Sequence, residues 1–230
     1  MKRKGVILVS GGLDSSTVLA MLQKENMEIY AISFYYAQNH AIEIAKIKNF
    51  IKNYNVVDHR VINVDLSAFK TTALINEDLA VPKYDNAQEI GDKIPVTYVP
   101  ARNTIFLSYA LGYAEVIGAS DIYIGAHMTD SANYPDCRPE YLKSFEAMAN
   151  LATKAGTEGK KINIHAPLIN MSKSEIVAAG LKLGVDYSST ISCYDPDEEG
   201  KSCGQCHACL VRVSAFEANN IKDPIAYVMR

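Results

Sequence analysis

The chain has 230 residues, and against a prior of about 150 residues per domain this length indicates one α/β-sized domain with an appendage. Hydrophobic residues make up 48% and charged residues 21%, with 13 Gly, 8 Pro and no Trp, which excludes disordered, collagen-like and coiled-coil chains. The net charge of −3, without a basic run beyond the first four residues, argues against a nucleic-acid platform.

Strand and helix signals alternate along the chain, as a parallel sheet with crossover helices requires. Short apolar runs predict strands at Gly5–Ser10, Glu28–Tyr36, Val56–Asp65, Asp121–Gly125 and Ile162–Ala166. Helical periodicity predicts helices at Leu13–Asn26, His40–Tyr54, Arg102–Gly118, Glu140–Lys154, Lys173–Leu183 and about Leu210–Asn219. The sequence therefore predicts an α/β fold: a Rossmann-like parallel sheet with helices on both faces.

Two further features refine this prediction. Periodicity weakens between Leu66 and Pro100, so we expect a long irregular excursion of a functional or lid type. Ser172 with Glu175 three residues later predicts a capping box at the start of the helix that begins at Lys173.

The segment SGGLDSS, Ser10–Ser16, lies between a predicted strand and a predicted helix, where backbone N–H groups and the helix dipole attract anions. Gly11 and Gly12 allow a close backbone approach, Ser10, Ser15 and Ser16 add hydroxyls, and Asp14 could hold Mg²⁺ bridging phosphates. The segment lacks both the lysine of a Walker A loop and the G-x-G-x-x-G spacing. A tight turn with a capping role only is the alternative.

Cys193, Cys203, Cys206 and Cys209 follow the spacing C-x9-C-x2-C-x2-C. Four thiolates close the tetrahedral shell of a structural Zn²⁺, so we expect one zinc per chain in a small C-terminal subdomain. An iron–sulfur cluster and a site in which His207 replaces a cysteine are the alternatives. The expected domains are residues 1–190 for nucleotide and substrate and residues 191–230 for the metal.

The motif Ser10-Gly11-Gly12-Leu13-Asp14-Ser15 resembles that of the PP-loop ATP pyrophosphatase superfamily, which cleaves ATP to AMP and pyrophosphate. The resemblance implies an adenine nucleotide alpha hydrolase-like fold and ATP binding by these residues. Asp14 and Ser15 would act in catalysis. Lys173 could also reach the ATP phosphates, with an ordinary exposed lysine as the alternative.

Two more segments, Thr97–Leu111 (TYVPARNTIFLSYAL) and Tyr134–Tyr141 (YPDCRPEY), extend the resemblance over about residues 5–215. With SGGLDSS and the cysteine tail, they resemble the 7-cyano-7-deazaguanine synthase family of queuosine and archaeosine biosynthesis. This implies an ATP-dependent ligase that converts 7-carboxy-7-deazaguanine and ammonia to the nitrile through adenylated intermediates, with Mg²⁺ accompanying ATP.

The same segments supply the expected substrate contacts. Arg102, at a helix start, can bind a carboxylate or phosphate through two parallel hydrogen bonds, unless it is a plain surface cation. Asp136 could accept hydrogen bonds from a guanine-like amino group, unless this stretch is a solvated surface turn. The full expected substrate set is His40, Arg102, Asn103, Tyr134, Asp136 and Arg138, with Arg102 also catalytic. The stretches 37–40 and 131–133 depart from the family's pattern.

Two alternatives from different classes remain. A PP-loop tRNA thiolase would use Cys137 as a nucleophile, but the chain lacks a basic patch. A zinc-ribbon regulatory or nucleic-acid-binding module explains the cysteine tail but not SGGLDSS.

The expected partners and location follow from the same features. We expect ATP, 7-carboxy-7-deazaguanine and free ammonium as substrates, because the chain has no room for a glutaminase domain. We expect neither a nucleic acid nor a membrane as partner, and a cytoplasmic location, since the apolar run at Val6–Val9 is too short for a signal peptide or span. A homodimer is one option for the oligomeric state.

Overall fold

A single parallel sheet organises the protein. The computed structural model describes residues 2–36, 41–76, 78–86, 89, 91, 93–127 and 134–228. Its strands are β1 (Arg3–Leu8), β2 (Met27–Tyr35), β3 (Val56–Asn63), β4 (Asp121–Tyr123) and β5 (Asn163–His165). All neighbouring pairs are parallel, in the order β3-β2-β1-β4-β5. The predicted Rossmann-like sheet is confirmed.

Seven α-helices accompany the strands in the described ranges. They are α1 (Leu13–Leu22), α2 (Ala41–Ile51), α3 (Arg102–Ile117), α4 (Pro139–Ala152), α5 (Lys154–Thr157), α6 (Lys173–Lys182) and α7 (His207–Glu217). None of these helices is both long enough and apolar enough to cross a bilayer.

Several helix boundaries differ from the prediction, and two of them have a clear physical cause. Helix α1 ends at Leu22 and not at Asn26, because residues 23–26 turn the chain toward β2, with Met27 N donating to the Glu25 carbonyl at 2.9 Å. Helix α7 begins at His207 and not near Leu210, because Cys206 is its N-cap. The long excursion is confirmed as irregular, since the described part of residues 66–100 contains neither a strand nor an α-helix.

Alternation along β1 divides the core into two layers. Ile7 packs in the layer with α1 and α6, where Leu19 and Ile176 are fully buried. Val6 faces the opposite layer, with Leu107 of α3 and Phe145 of α4. Because consecutive strand residues point to opposite faces, the buried apolar half of β1 serves both layers. This confirms helices on both faces of the sheet.

The sheet also fixes where a ligand can bind. In the sheet, β2 and β3 lie on one side of β1, whereas β4 and β5 lie on its other side. The strand order therefore reverses between β1 and β4. In open parallel sheets, ligands bind outside the carboxyl ends of the strands at this reversal. The loop 9–12 after β1 and residues 124–127 after β4 lie at this position.

Candidate active site

A cavity of about 270 Å³ opens at the carboxyl ends of β1 and β4. One end of it is polar and is formed by the loops after these two strands and by the start of α6. The other end is aromatic and is formed by the end of β2, the start of α3 and the C-terminal tail. The principal lining residues are Ser10, Gly12, Asp14, Ser15, His127 and Lys173 at the polar end and Phe34, Tyr36, Arg102, Phe106, Tyr134 and Tyr194 at the aromatic end.

The glycine loop holds a backbone shape that other residues would disturb. Gly11 has a φ of +78°, and a Cβ there would lie 2.4 Å from Cγ1 of Ile47. Its carbonyl accepts a hydrogen bond from Ile191 N at 3.0 Å, which joins the loop to the C-terminal tail. Gly12 is the N-cap of α1, and its backbone is extended, with φ −77° and ψ 169°. The loop therefore presents the start of α1 to the cavity, as an anion site requires.

Hydroxyl groups within the loop contact one another. Ser15 Oγ lies 3.1 Å from Ser10 N and 3.2 Å from Ser10 Oγ. Ser10 Oγ in turn accepts from Gly12 N at 3.3 Å. Ser16 is fully buried, and neither Ser16 nor Gly11 lines the cavity, so the structure separates these two from the other residues of the predicted ATP-binding loop.

A cationic side chain lies at the centre of the polar end. Lys173 Nζ is 2.8 Å from both carboxylate oxygens of Asp14 and 2.7 Å from Nε2 of His127. His127 is fully buried, and its Nε2 is 3.7 Å from Asp14 Oδ2. We call Asp14, His127 and Lys173 the lysine cluster. The sequence singled out Asp14 and Lys173 but not His127, which lies outside every motif.

The fold brings these three residues together from distant segments. Lys173 is the first residue of α6, whose predicted capping box is confirmed: Ser172 Oγ accepts from Glu175 N, and the Glu175 carboxylate accepts from Ser172 N. Gly125 lets the chain after β4 approach the glycine loop, since a Cβ there would lie 3.1 Å from Ser15 N. Such close packing excludes a larger residue at position 125. It also allows the chain after β4 to place His127 next to Lys173.

The aromatic end contains side chains that the motifs did not reveal. The rings of Phe34 and Phe106 stack at 4.0 Å with an interplanar angle of 1°, and Tyr36 tilts against Phe106 at 5.5 Å. Arg102 lies beside them, with its Nη1 3.5 Å from Tyr36 OH. The aromatic run at the end of β2 was the available signal, because carboxyl ends of strands face the ligand crevice.

Some residues of the YPDCRP segment line the cavity, and others contact the start of α3. Tyr134 is buried and lines the cavity, with its hydroxyl 3.3 Å from Thr97 Oγ1. Asp136 Oδ2 accepts from Asn103 N at 2.9 Å, so this carboxylate binds a backbone N–H in the first turn of α3. Asn103 also donates to Cys137 Sγ at 3.1 Å.

The predicted substrate residues thus fall into three groups. Arg102, Asn103 and Tyr134 line the cavity together. Asp136 is buried outside the lining, and Arg138 is exposed. His40 and the two departing stretches, 37–40 and 131–133, lie outside the described residues.

The four cysteines of the tail form one compact group, which we call the cysteine cluster. Their sulfur atoms all lie within 4.8 Å of one another, and Cys203 Sγ is 4.0 Å from Cys209 Sγ. Zinc–sulfur bonds of about 2.3 Å would place sulfurs about 3.8 Å apart in a tetrahedron, so a small contraction suffices. Backbone N–H groups of Cys203 and Cys206 point at sulfurs at 3.2 and 3.3 Å, as they do around thiolates. The donor set fits a metal ion.

The tail is attached to the cavity through Arg212. This buried guanidinium bonds both oxygens of Asp223, at 2.7 and 3.1 Å, and donates to Thr190 Oγ1 at 2.8 Å. Arg212 also lines the cavity, as do His207 and Ala208 next to the cysteine cluster. The segment that carries the cysteine cluster is therefore one wall of the site.

Comparisons with known proteins agree with this architecture. The family model described as queuosine biosynthesis protein QueC matches residues 4–220. The 7-cyano-7-deazaguanine synthase of Rickettsia rickettsii (strain Sheila Smith) is 63% identical over 228 residues, covering 99% of this chain and 100% of that protein. The synthase of Rickettsia conorii is 62% identical with the same coverage.

A solved structure supports the fold assignment. The crystal structure of a 4-thiouridine synthetase–RNA complex with bound ATP matches with a TM-score of 0.53 at 19% identity, covering 98% of this chain and 47% of that one. At this identity the likeness shows the fold alone, and it agrees with the predicted Rossmann-like parallel sheet. On the strength of the family match and these full-length relatives, the chain belongs to the queuosine biosynthesis protein QueC family.

Proposed function

We propose that this protein is a 7-cyano-7-deazaguanine synthase, an ATP-dependent ligase that converts 7-carboxy-7-deazaguanine and ammonia to the nitrile. One observation carries the proposal: a chain 63% identical to such a synthase over its whole length has one cavity that joins a phosphate-type loop to an aromatic chamber. The polar end would bind the ATP phosphates, and the aromatic end would bind the flat heterocycle.

The polar end has the donors that a polyphosphate needs. Backbone N–H groups at the start of α1 and the Ser10 and Ser15 hydroxyls are neutral donors, and Lys173 adds a positive charge. We propose that the loop Ser10–Ser15 and Lys173 bind ATP. Ser16, which is buried away from the cavity, would contribute to the helix start and not to a phosphate contact.

The chemistry requires the carboxylate to be activated twice. Oxide is a very poor leaving group, so attack of the carboxylate on the α-phosphate would give an acyl-adenylate and release pyrophosphate. Ammonia would then displace AMP to form an amide. A second ATP would adenylate the amide oxygen, and loss of AMP with two protons would leave the nitrile. Such a sequence needs positioning and charge stabilisation more than a covalent nucleophile.

Arg102 is the best-placed group for the substrate carboxylate. It lies on the cavity wall next to the stacked rings of Phe34 and Phe106, and a guanidinium can bind a carboxylate through two parallel hydrogen bonds. Asn103 and Tyr134 line the same cavity. We propose that Asp136 acts indirectly, because its carboxylate already accepts from Asn103 N and thereby fixes the start of α3.

We propose that the protein uses two metal ions, one structural and one bound with ATP. Cys193, Cys203, Cys206 and Cys209 would hold one structural Zn²⁺, since four soft ligands leave no open position for catalysis. Asp14 is the carboxylate that would bind the Mg²⁺ of ATP, where the ion supplies charge neutralisation of the phosphates.

Several further features belong to the same proposal. We expect free ammonium as the nitrogen donor, a cytoplasmic location and no nucleic-acid substrate, with a homodimer as one option. The division into residues 1–190 and 191–230 would be functional more than structural, because Phe216 of α7 packs in the same core layer as α1 and α6.

One assay tests the proposal. Purified protein is incubated with ATP, Mg²⁺, ¹⁵N-ammonium and 7-carboxy-7-deazaguanine, and products are identified by mass spectrometry. We expect the ¹⁵N-labelled nitrile together with AMP and pyrophosphate. A reaction with glutamine in place of ammonium is the control and should stall. Absence of the nitrile, or a sulfur-bearing tRNA product instead, would overturn the assignment.

A further inference from the structure

We propose that His127 is a positioning residue at the ATP end of the cavity: its neutral imidazole holds the Lys173 ammonium in place toward the bound polyphosphate. The inference rests on the proposed function, since that function places ATP at this end. It adds a residue that no motif of the chain marks.

The contact fixes the state of the ring. A lysine ammonium has three donors and no acceptor, and a protonated imidazole also has donors only. Lys173 Nζ lies 2.7 Å from His127 Nε2, and in our proposal Nε2 accepts from the ammonium while the ring proton is on Nδ1. The other two ammonium donors are directed to the Asp14 carboxylate oxygens, each at 2.8 Å.

A neutral third partner has a distinct physical role. Asp14 alone already matches the lysine charge, and a second carboxylate would make the cluster anionic and repel phosphate. An uncharged acceptor adds a directional bond without cancelling more of the positive charge. When phosphate oxygens replace one of the Asp14 contacts, the bond to His127 keeps Nζ at the same point.

The surroundings make this bond stiff. His127 is fully buried, and the chain that leads to it leaves β4 through Gly125, packed against the backbone of Asp14 and Ser15. The acceptor and the glycine loop are therefore parts of one rigid contact. Positioning by such a group lowers the cost of ordering the lysine when ATP binds.

Two variants separate positioning from packing. His127→Gln keeps an acceptor at about the reach of Nε2, whereas His127→Leu keeps the approximate volume and removes the acceptor. Because a hydrogen bond to a charged group is lost, His127→Leu should raise the Kd and KM for ATP about tenfold, with a smaller effect on kcat, while His127→Gln should stay within about threefold of wild type.

His165→Gln is the matched control. Like His127, His165 has a charged partner 2.7 Å from its Nε2, in this case a carboxylate oxygen of Asp121. His165 does not line the cavity. Its ATP affinity should remain that of the wild type. Thermal unfolding of all three variants is measured alongside ATP binding.

A spectroscopic measurement does not depend on turnover. In protein labelled with ¹⁵N-histidine, the resonances assigned to His127 should show an unprotonated Nε2 and a protonated Nδ1, and Lys173→Met should shift the Nε2 signal. If His127→Leu does not fold, this measurement on the wild type and on His127→Gln decides.

The outcomes separate the two proposals. Equal ATP affinities for His127→Leu and His127→Gln, or a protonated Nε2, would overturn the positioning role. A wild type that binds ATP but forms no nitrile would overturn the proposed function and leave the comparison of the two variants valid. A wild type that does not bind ATP would overturn both.

Discussion

The cysteine cluster and the lysine cluster are both compact polar groups, but they are assembled in opposite ways. Three of the four cysteines fall within Cys203–Cys209, at the entry to α7. Asp14, His127 and Lys173 come from the first turn of α1, from the loop after β4 and from the start of α6. Local spacing therefore brings most of the cysteine cluster together, whereas the lysine cluster exists only in the folded sheet.

This difference predicts different failures on substitution. Loss of a cysteine from the cysteine cluster should unfold the C-terminal segment that carries the cluster, because the proposed metal would organise this segment. Loss of a group in the lysine cluster should leave the fold intact, because the sheet positions the cluster and does not depend on it. Four substitutions test the contrast, from the largest expected effect to the smallest.

The largest effect is expected for Cys206→Ser. This fully buried cysteine is both a metal ligand in our proposal and the N-cap of α7. Loss of a structural metal should lower the free energy of unfolding by about 5 kcal/mol or more. Elemental analysis and thermal unfolding measure the result, and wild type treated with a chelator should behave alike. A variant that retains zinc and the wild-type melting temperature would contradict the metal assignment.

Arg212→Met tests the connection between the tail and the cavity. It would leave the carboxylate of Asp223 buried without its guanidinium, at a cost of about 3 to 5 kcal/mol in unfolding free energy. Lys161→Met removes a largely exposed ion pair with Glu146, away from the tail, and is the control, with an expected cost of about 1 kcal/mol or less. Denaturant unfolding of both variants gives the comparison, and equal costs would refute the special role of Arg212.

Asp14→Asn tests the lysine cluster. The amide keeps the shape of the carboxylate but removes its charge, so both the hold on Lys173 and the proposed metal contact weaken. AMP formation should fall roughly a hundredfold, with the melting temperature within a few degrees of wild type. Asp65→Asn, an exposed residue after β3, is the control and should leave AMP formation unchanged. A fully active Asp14→Asn protein would remove this end of the cavity from the mechanism.

Ser172→Ala should have the smallest effect, a loss of about 1 kcal/mol, because it removes the N-cap of α6. Backbone and side-chain hydrogen bonds from Ser172 lower the pKa of Glu175. A lowered carboxyl pKa contributes stability above its unfolded value, and this contribution is lost as the pH falls. The stability difference between wild type and Ser172→Ala should therefore shrink in acid, as urea unfolding at several pH values would reveal. A constant difference would show that Glu175 adds nothing to the cap.

Much of the fold was predictable because it depends on local patterns. The apolar run of β1 and the cap of α6 at Ser172 are written in consecutive residues, and both are confirmed. Boundaries were less predictable, because tertiary contacts decide where the backbone leaves an element: α7 starts at His207 since its N-cap is a member of the cysteine cluster.

The site was predictable only in part. The glycine loop can be recognised in the sequence, because its glycines and hydroxyl side chains are contiguous. The roles of His127 and of the Phe34–Phe106 pair cannot be recognised there, because each of these side chains contacts a partner far along the chain. Asp136 illustrates the opposite case, since its chemistry suggested a ligand contact, whereas the fold directs its carboxylate to Asn103 N.

Contiguous residues therefore specify the parallel α/β architecture, the glycine loop and the set of four cysteines, since each arises from spacing within a few turns of chain. Which side chains share the cavity depends on the three-dimensional packing of distant segments. The strand order reverses between β1 and β4, and Gly125 allows the two loops to meet, so residues more than a hundred positions apart come within hydrogen-bonding distance. Such contacts depend on sheet topology and close packing, and neither leaves a periodic trace in the chain.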